Sequence, residues 1–389
     1  MHIVANKNTP FIEQAFSKAG SLTTLGTLEI RKETLRDADA LIVRSETRVN
    51  KDLLEGSAVR FVGTVTIGTD HIDKEYLAQK GIAFASAPGS NSNSVAEYIA
   101  SALLTLARRH RFSLRGKTLG VVGVGNVGSK VVRVARALGM EVVENDPPLH
   151  RATGDARFRP LTDILNCDFV TIHVPLQKRG PDVTYHFFDD VLLSKMKQTS
   201  FLLNTSRGAV VSGEALLAAL TGKKLAGAVL DVWEKEPAIN MDLLHAVDIG
   251  TPHIAGYSLD GKVNAVRMIH ASLSEFFSLS LSWDIDDLLP PSDVPLIQAQ
   301  EGESVDSLIA HAVGSCYDVE FDERNLRATE DAAPDERGHA FMKLRAEYRI
   351  RREFSQTTVK LRPQTESAAG ILRKLGFAVP AWQGESKTL

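Results

Sequence analysis

The stretch Thr118–Gly139, "TLGVVGVGNVGSKVVRVARALG", decides the fold: an apolar β-branched run, glycines spaced Gly123-x-Gly125-x-x-Gly128, then a segment with helical periodicity. Strand, glycine turn and helix in that order form a dinucleotide-binding unit. The first glycine permits the tight turn and the second lets the backbone approach a pyrophosphate at the helix N-terminus. The third lets helix pack closely on strand. Asp146 stands eighteen residues after Gly128, at the end of the run "EVVEND". Its carboxylate can accept from a ribose 2′-hydroxyl and repels a 2′-phosphate, which selects NAD over NADP. Asn145 beside it leaves that sign unchanged.

Working outward, "FVTIHV", "SFLLNTS", "LAGAVLDV" and "VDIGTP" alternate with helical segments and extend a doubly wound parallel sheet to about residue 255. Upstream, "HIVAN", "ALIVRS", "VRFVGTV" and "IAFAS" alternate with helical stretches at 51–56 and 74–79, predicting a separate α/β unit. Between the two, "SVAEYIASALLTLARRH" predicts a helix with Ser94 as N-cap and Glu97 closing a capping box. Residues 258–283 read as one long helix returning the chain to the first unit. At "DIDDLLPPSDVP" the composition turns to acids and prolines, and about 100 residues follow with patterns of their own. There "VDSLIAHAV" and "GHAFMKLRAEYRI" predict amphipathic helices, "TTVKLRP" a strand, and "ESAAGILRKLG" a helix ending on Gly376. The expectation is an α/β protein of three parts. Residues 1–95 with 256–285 form a substrate-binding lid, 96–255 an NAD-binding Rossmann domain, and 290–389 a C-terminal α+β domain.

Composition narrows the chemistry. With 389 residues, 43% hydrophobic and 24% charged, and a net charge of −3, the chain is an ordinary multidomain globular protein with no long-range pull on nucleic acid or anionic lipid. The N-terminus "MHIVANKNTPF" lacks a basic segment followed by an apolar one, and no apolar run reaches membrane-spanning length, so a cytoplasmic protein is expected. Cys167 and Cys316 lie far apart outside any ligand spacing, so neither a disulfide framework nor a metal site is expected.

In an open parallel sheet, ligands sit beyond the carboxyl ends of the strands. After "SFLLN" comes Arg207, after "LAGAVL" come Asp231 and Glu236, and after "VDIGT" comes His253. A guanidinium, a carboxylate and an imidazole gathered beside a nicotinamide make a hydride-transfer set. The His accepts a proton, the Glu orients and charges it, and the Arg holds an acidic substrate by a bidentate pair. Pro237 and Pro252 restrict the residues before them, so both loops leave their strands with limited freedom. In the first unit, "IVRSET" places Arg44 and Ser45 at one strand end and Thr66 at its neighbour's, donors suited to a substrate anion.

In order along the chain, "VTIGTDHID", "SNSVAEYIASALL", "GVVGVGNVGSKVV", "NTSRGAVV", "LDVWEKEP" and "TPHIAGYS" resemble the D-isomer-specific 2-hydroxyacid dehydrogenases over residues 1 to about 285. The resemblance implies that Arg207, Glu236 and His253 are the catalytic three. It further implies that NAD is held by Gly123, Gly125, Asn126, Val127, Gly128, Asp146, Val174, Thr205, Ser206, Arg207, Asp231 and Gly256, with Asp231 by the nicotinamide. The "VTIGTD" loop would receive the substrate carboxylate on backbone N–H groups, and Tyr257 would join Arg44, Ser45 and Thr66 at the substrate. With its "NDPP" segment and a C-terminal region of this size, the chain resembles members of that family that act on a small phosphorylated 2-hydroxy acid, which implies such a substrate and a homodimer through that region. Amphipathic helices without a catalytic motif point the same way. Two alternatives stay open: a related dehydrogenase acting on phosphoglycerate, and a non-catalytic NAD-sensing corepressor. The tail lacks the low-complexity composition of a docking segment, which weighs against the second.

Overall fold

The computed structural model describes residues 1–381, which fall into two compact units, Met1–Asn91 with Ser258–Pro290 and Ser92–Tyr257 with the C-terminal region from Pro291. The first unit holds five parallel strands: β1 (His2–Asn6), β2 (Ser21–Leu25), β3 (Ala40–Val43), β4 (Phe61–Thr64) and β5 (Ala83–Ala85), in the order β2-β1-β3-β4-β5. Side chains alternate across the sheet as a period of two requires. Val4, Leu41, Val43 and Val62 enter one apolar cluster, and Ile3, Ala5, Ile42 and Phe61 enter the other. Helix Leu259–Phe276 covers the second with Val266, Ile269 and Leu273. It ends seven residues short of the expected 283, because the chain turns through Ser278 at φ +54°. Strand β2 was not expected from the sequence. It is a part-exposed edge strand, "SLTTL", without the alternating or continuous apolar pattern that marks a strand.

The second unit carries six parallel strands: β6 (Thr118–Val122), β7 (Glu141–Asn145), β8 (Phe169–Ile172), β9 (Phe201–Asn204), β10 (Gly227–Leu230) and β11 (Ile249–Gly250), ordered β11-β10-β9-β8-β6-β7. After β7 the chain crosses to β8 on the other side of β6, so the topological switch lies between β6 and β8. Helix Ser92–His110 begins two residues before the expected cap. Ser94 and Glu97 make no capping box there. Ser94 Oγ donates to Ala255 O at 2.8 Å, and Glu97 accepts from Arg351 Nη1 at 2.8 Å and from the Phe354 N–H at 2.7 Å. Tertiary partners have replaced the local motif.

Those contacts show how the C-terminal region differs from a free-standing third domain. Its helices Val305–Cys316, Val319–Arg327, Arg337–Ala346 and Ala369–Leu375 and its strand pair, β12 (Leu296–Gln298) with β13 (Thr358–Lys360), are too short to enclose a core alone. Leu308, Val313, Tyr317, Leu372 and Leu375 join the apolar cluster of Tyr98, Val131 and Leu203, while Leu326 and Phe341 join that of Leu202, Leu230 and Trp233. The helix over 319–327 was not expected, since "VEFDERNLR" shows little but charge. Among the described residues, no helix is long and apolar enough to cross a membrane, and no cluster of His, Cys, Asp and Glu could hold a metal.

Candidate active site

The glycine loop follows β6 at the switch point. Gly123 takes φ +86°, and a Cβ there would lie 2.7 Å from the His173 carbonyl oxygen. A Cβ on Gly128 would collide with Gly123 O, the contact that lets helix Gly128–Ala137 start against the strand. A Cβ on Gly125 would meet nothing within 4 Å. Together with exposed Asn126 and part-buried Val127, that leaves an open cradle at a helix N-terminus, which fits a pyrophosphate. Asp146 closes the loop: Oδ2 accepts the Val124 N–H at 2.8 Å and Oδ1 caps the next helix through the Leu149 N–H at 3.0 Å. Its carboxylate is fixed at the end of β7. Val174 flanks Gly123, its Cγ1 lying 2.8 Å from where a Cβ would stand. NAD therefore fits the residues present.

Arg207, Glu236 and His253 follow three strand ends of the same sheet. After β9, Asn204 braces the loop: Oδ1 accepts from the Ser206 N–H at 3.0 Å and Ser206 Oγ at 2.8 Å, and Nδ2 donates to Arg207 O at 3.0 Å. Thr205 and Arg207 stay part-exposed. At Gly208 any side chain would strike the Trp233 backbone, so this loop and the one after β10 lie directly together. In the latter, Glu234 is held by His186 Nε2 at 2.7 Å and the Gly213 N–H at 3.1 Å, which leaves Glu236 for the site. Glu236 Oε1 accepts the Trp233 N–H at 2.7 Å, and Oε2 meets His253 Nδ1 at 2.7 Å. Burial works to raise the Glu236 carboxyl, but the bond and charge of His253, the Trp233 N–H and the Arg345 charge outweigh it and hold the group below its ordinary range. With Nδ1 donating to Glu236, the His253 Nε2 lone pair is left as a proton acceptor.

Asp231 has a bracing role alongside the one expected by the nicotinamide. Its side chain is buried and accepts from Thr251 Oγ1 at 2.7 Å, the Ile254 N–H at 2.8 Å and the Ala255 N–H at 3.0 Å, while its carbonyl accepts the His253 N–H at 2.7 Å. Burial raises its carboxyl above the ordinary value against those donors and the His253 charge. These bonds hold His253 in the left-handed region at φ +58°, which few non-glycine residues adopt. The same turn sets Gly256 and Tyr257, whose hydroxyl accepts from Arg345 Nη2 at 3.1 Å.

In the first unit, Arg44 lies at the end of β3, its Nη1 donating to Asn8 O at 2.9 Å and its Nη2 facing Glu46 Oε1 at 3.4 Å. Ser45 beside it is exposed. Thr66 Oγ1, past the end of β4, donates to Gly68 O at 2.8 Å within the "VTIGTD" loop.

Sequence reasoning missed two neighbours of the site. His173 follows β8, its ring between Thr171 Oγ1 at 2.9 Å and Thr205 Oγ1 at 3.4 Å, and burial pushes its pKa down to about 3. The strand-end rule applied to "FVTIHV" would have found it. Arg345 comes from the C-terminal region, and no local motif marks it.

Residues 95–255 match the family described as "D-isomer specific 2-hydroxyacid dehydrogenase, NAD binding domain", and residues 288–376 match one described as "Domain of unknown function (DUF3410)". The chain is 44% identical over 368 residues to erythronate-4-phosphate dehydrogenase of Salinibacter ruber, covering 92% of this chain and 94% of that protein. It is 42% identical over 378 residues to the enzyme of the same name from Cronobacter sakazakii, covering 97% and 98%. Among solved structures, D-lactate dehydrogenase from Aquifex aeolicus complexed with NAD and lactic acid aligns with TM-score 0.59 at 25% identity, over 72% of this chain and 96% of that one.

Proposed function

Because the chain belongs to the D-isomer specific 2-hydroxyacid dehydrogenases, among the relatives named erythronate-4-phosphate dehydrogenase, we infer that it catalyses the NAD-dependent oxidation of 4-phospho-D-erythronate at C2. The product is (R)-3-hydroxy-2-oxo-4-phosphobutanoate, an intermediate on the way to pyridoxal 5′-phosphate. The observation that carries the reading is the 2.7 Å pair of Glu236 and His253 at the end of a nucleotide-binding sheet. Bound NAD supplies the hydride acceptor. The glycine loop with Asn126 and Val127 would hold its pyrophosphate, Asp146 its ribose, and Val174, Thr205, Ser206, Asp231 and Gly256 the nicotinamide half.

His253 Nε2 takes the proton of the C2 hydroxyl as the C2–H bond breaks. The Glu236 carboxylate stabilises the imidazolium that forms and fixes the ring's tautomer. Arg207 presents its guanidinium to the substrate carboxylate, and backbone N–H groups of the "VTIGTD" loop are further donors for it. Arg44, Ser45, Thr66 and Tyr257 serve the remaining polar groups of the substrate. We take the enzyme to work in the cytoplasm as a homodimer formed through its C-terminal region, which exposes Phe321 and Ile350. Replacing His253 by Ala tests the reading. NADH formation should fall by a thousandfold or so while NADH still binds, and near-normal kcat would overturn it.

A further inference from the structure

Arg345 sits at the end of helix Arg337–Ala346, in the region that sets this chain apart from shorter dehydrogenases. The start of that helix rests on the turn that carries Glu236: a Cβ on Gly338 would stand 3.6 Å from Pro237 Cγ. Its other end reaches the loop that carries His253. Arg345 Nη2 donates to the Tyr257 hydroxyl at 3.1 Å, and its guanidinium carbon lies 5.7 Å from the centre of the Tyr257 ring. Tyr348 packs edge-on against the same ring at 5.8 Å, and Arg351 donates to Ala255 O and to Glu97 just below. The segment from 337 to 354 thus clasps the residues immediately following the proton acceptor.

A guanidinium has five N–H donors and keeps its charge at every physiological pH. Among the described residues, Arg345 has no carboxylate partner within ion-pair distance. Its bonds go to a neutral phenol and, weakly, to Met342 Sδ at 3.8 Å, and its Nε is buried with no partner at all. Arg345 is half-buried and its charge is felt by the Glu236 carboxylate, yet among the described residues no carboxylate oxygen takes its donors, so the fork can still receive an anion that the chain itself does not supply. Glu236 is the nearest candidate within the protein, but its two oxygens are already taken by Trp233 and His253.

We propose that Arg345, with the Tyr257 hydroxyl, is a specificity-determining site for the phosphate end of the substrate. The C-terminal region thereby completes the active site as well as forming a surface. This rests on the proposed reaction: the substrate has two anionic ends, and Arg207 answers one. The fork of Arg345 suits two phosphate oxygens and stands beside the Tyr257 hydroxyl that it already bonds.

The test compares the full-length enzyme with Arg345→Gln, which keeps a donor for Tyr257 but loses the charge, and with Arg345→Lys, which keeps the charge but loses the fork. For Arg345→Gln, kcat/KM on 4-phosphoerythronate should fall tenfold to a hundredfold, kcat/KM on erythronate should stay within about threefold, and NAD affinity should hold. Arg345→Lys should recover part of the loss. Inorganic phosphate titrated calorimetrically into the NAD-loaded enzyme should bind at least tenfold more weakly to Arg345→Gln. Equal losses on both substrates, or phosphate binding unchanged by the substitution, would overturn the proposal. If the unmodified enzyme prefers another phosphorylated acid, the proposed reaction falls and the phosphate titration alone decides the role of Arg345.

Discussion

The carboxylate of Glu236 meets Nδ1 of His253 at 2.7 Å, joining two loops that leave the neighbouring strands β10 and β11. Glu236→Gln keeps an acceptor for the Trp233 N–H but removes the charge that favours an imidazolium. Such a loss should lower kcat tenfold to a hundredfold, about 1.4–2.8 kcal/mol of barrier, with a smaller change in KM. Steady-state NADH absorbance measures this. A kcat within twofold of the unmodified enzyme would separate Glu236 from the proton transfer.

Asp146 holds its place by accepting from the Val124 and Leu149 N–H groups. Asp146→Ala removes both the acceptor for a 2′-hydroxyl and the repulsion of a 2′-phosphate. The ratio of kcat/KM with NAD to that with NADP should shrink by at least tenfold. An unaltered ratio would mean that some other group reads the ribose.

His173 gives the fold a defined response to acid. Its folded pKa is depressed by burial to about 3 from an ordinary 6.5, so in that window the unfolded chain binds a proton that the folded chain refuses. Stability contributed by the neutral ring is complete above pH 6.5 and is lost as the pH falls below it, with a limiting slope of about 1.4 kcal/mol per pH unit. Urea unfolding across this range should show a shallower acid-side loss for His173→Gln. Parallel curves for the two proteins would show that the ring does not titrate as described.

The C-terminal region presents a harder problem for a truncation experiment. Removing it would uncover Leu308, Tyr317, Leu372 and Leu375, and each such side chain is worth about 1.5–3 kcal/mol when buried. A shortened chain should therefore unfold whatever its oligomeric role. Surface changes isolate the interface: Ile350 is 60% exposed and Phe321 42% exposed, so Ile350→Glu with Phe321→Ser should leave the fold intact. If the proposed dimer forms through this face, light scattering should report a dimer for the unmodified chain and a monomer for the double variant. A dimer that persists would place the contact elsewhere.

How far the sequence could be read depended on how local each signal is. The glycine loop, Asp146 and the order of strands with Arg207, Glu236 and His253 behind them are set by short-range chemistry, and these three side chains follow the ends of neighbouring strands of one sheet. Ser94 and Glu97 misled as a capping box because their partners, Ala255 and Arg351, are more than 150 residues away. Asp231 was read for its position near the cofactor, while its bonds to Thr251, Ile254 and Ala255 depend on the pairing of β10 with β11. Arg345 was invisible for the same reason, since nothing in "MKLRAEY" states that it ends beside Tyr257. The C-terminal boundary near 290 is marked by composition, whereas the joining of its helices to two existing cores is a property of packing alone.

The most direct test of the account is substrate choice by the unmodified enzyme. With NAD in excess, NADH formation should be measured against 4-phosphoerythronate, 3-phosphoglycerate and unphosphorylated erythronate under one set of conditions. The account predicts the highest kcat/KM for 4-phosphoerythronate, at least tenfold above either of the others, because erythronate lacks the phosphate and 3-phosphoglycerate carries it one carbon nearer the carboxylate. Faster turnover of 3-phosphoglycerate, or equal turnover of erythronate with and without its phosphate, would contradict it.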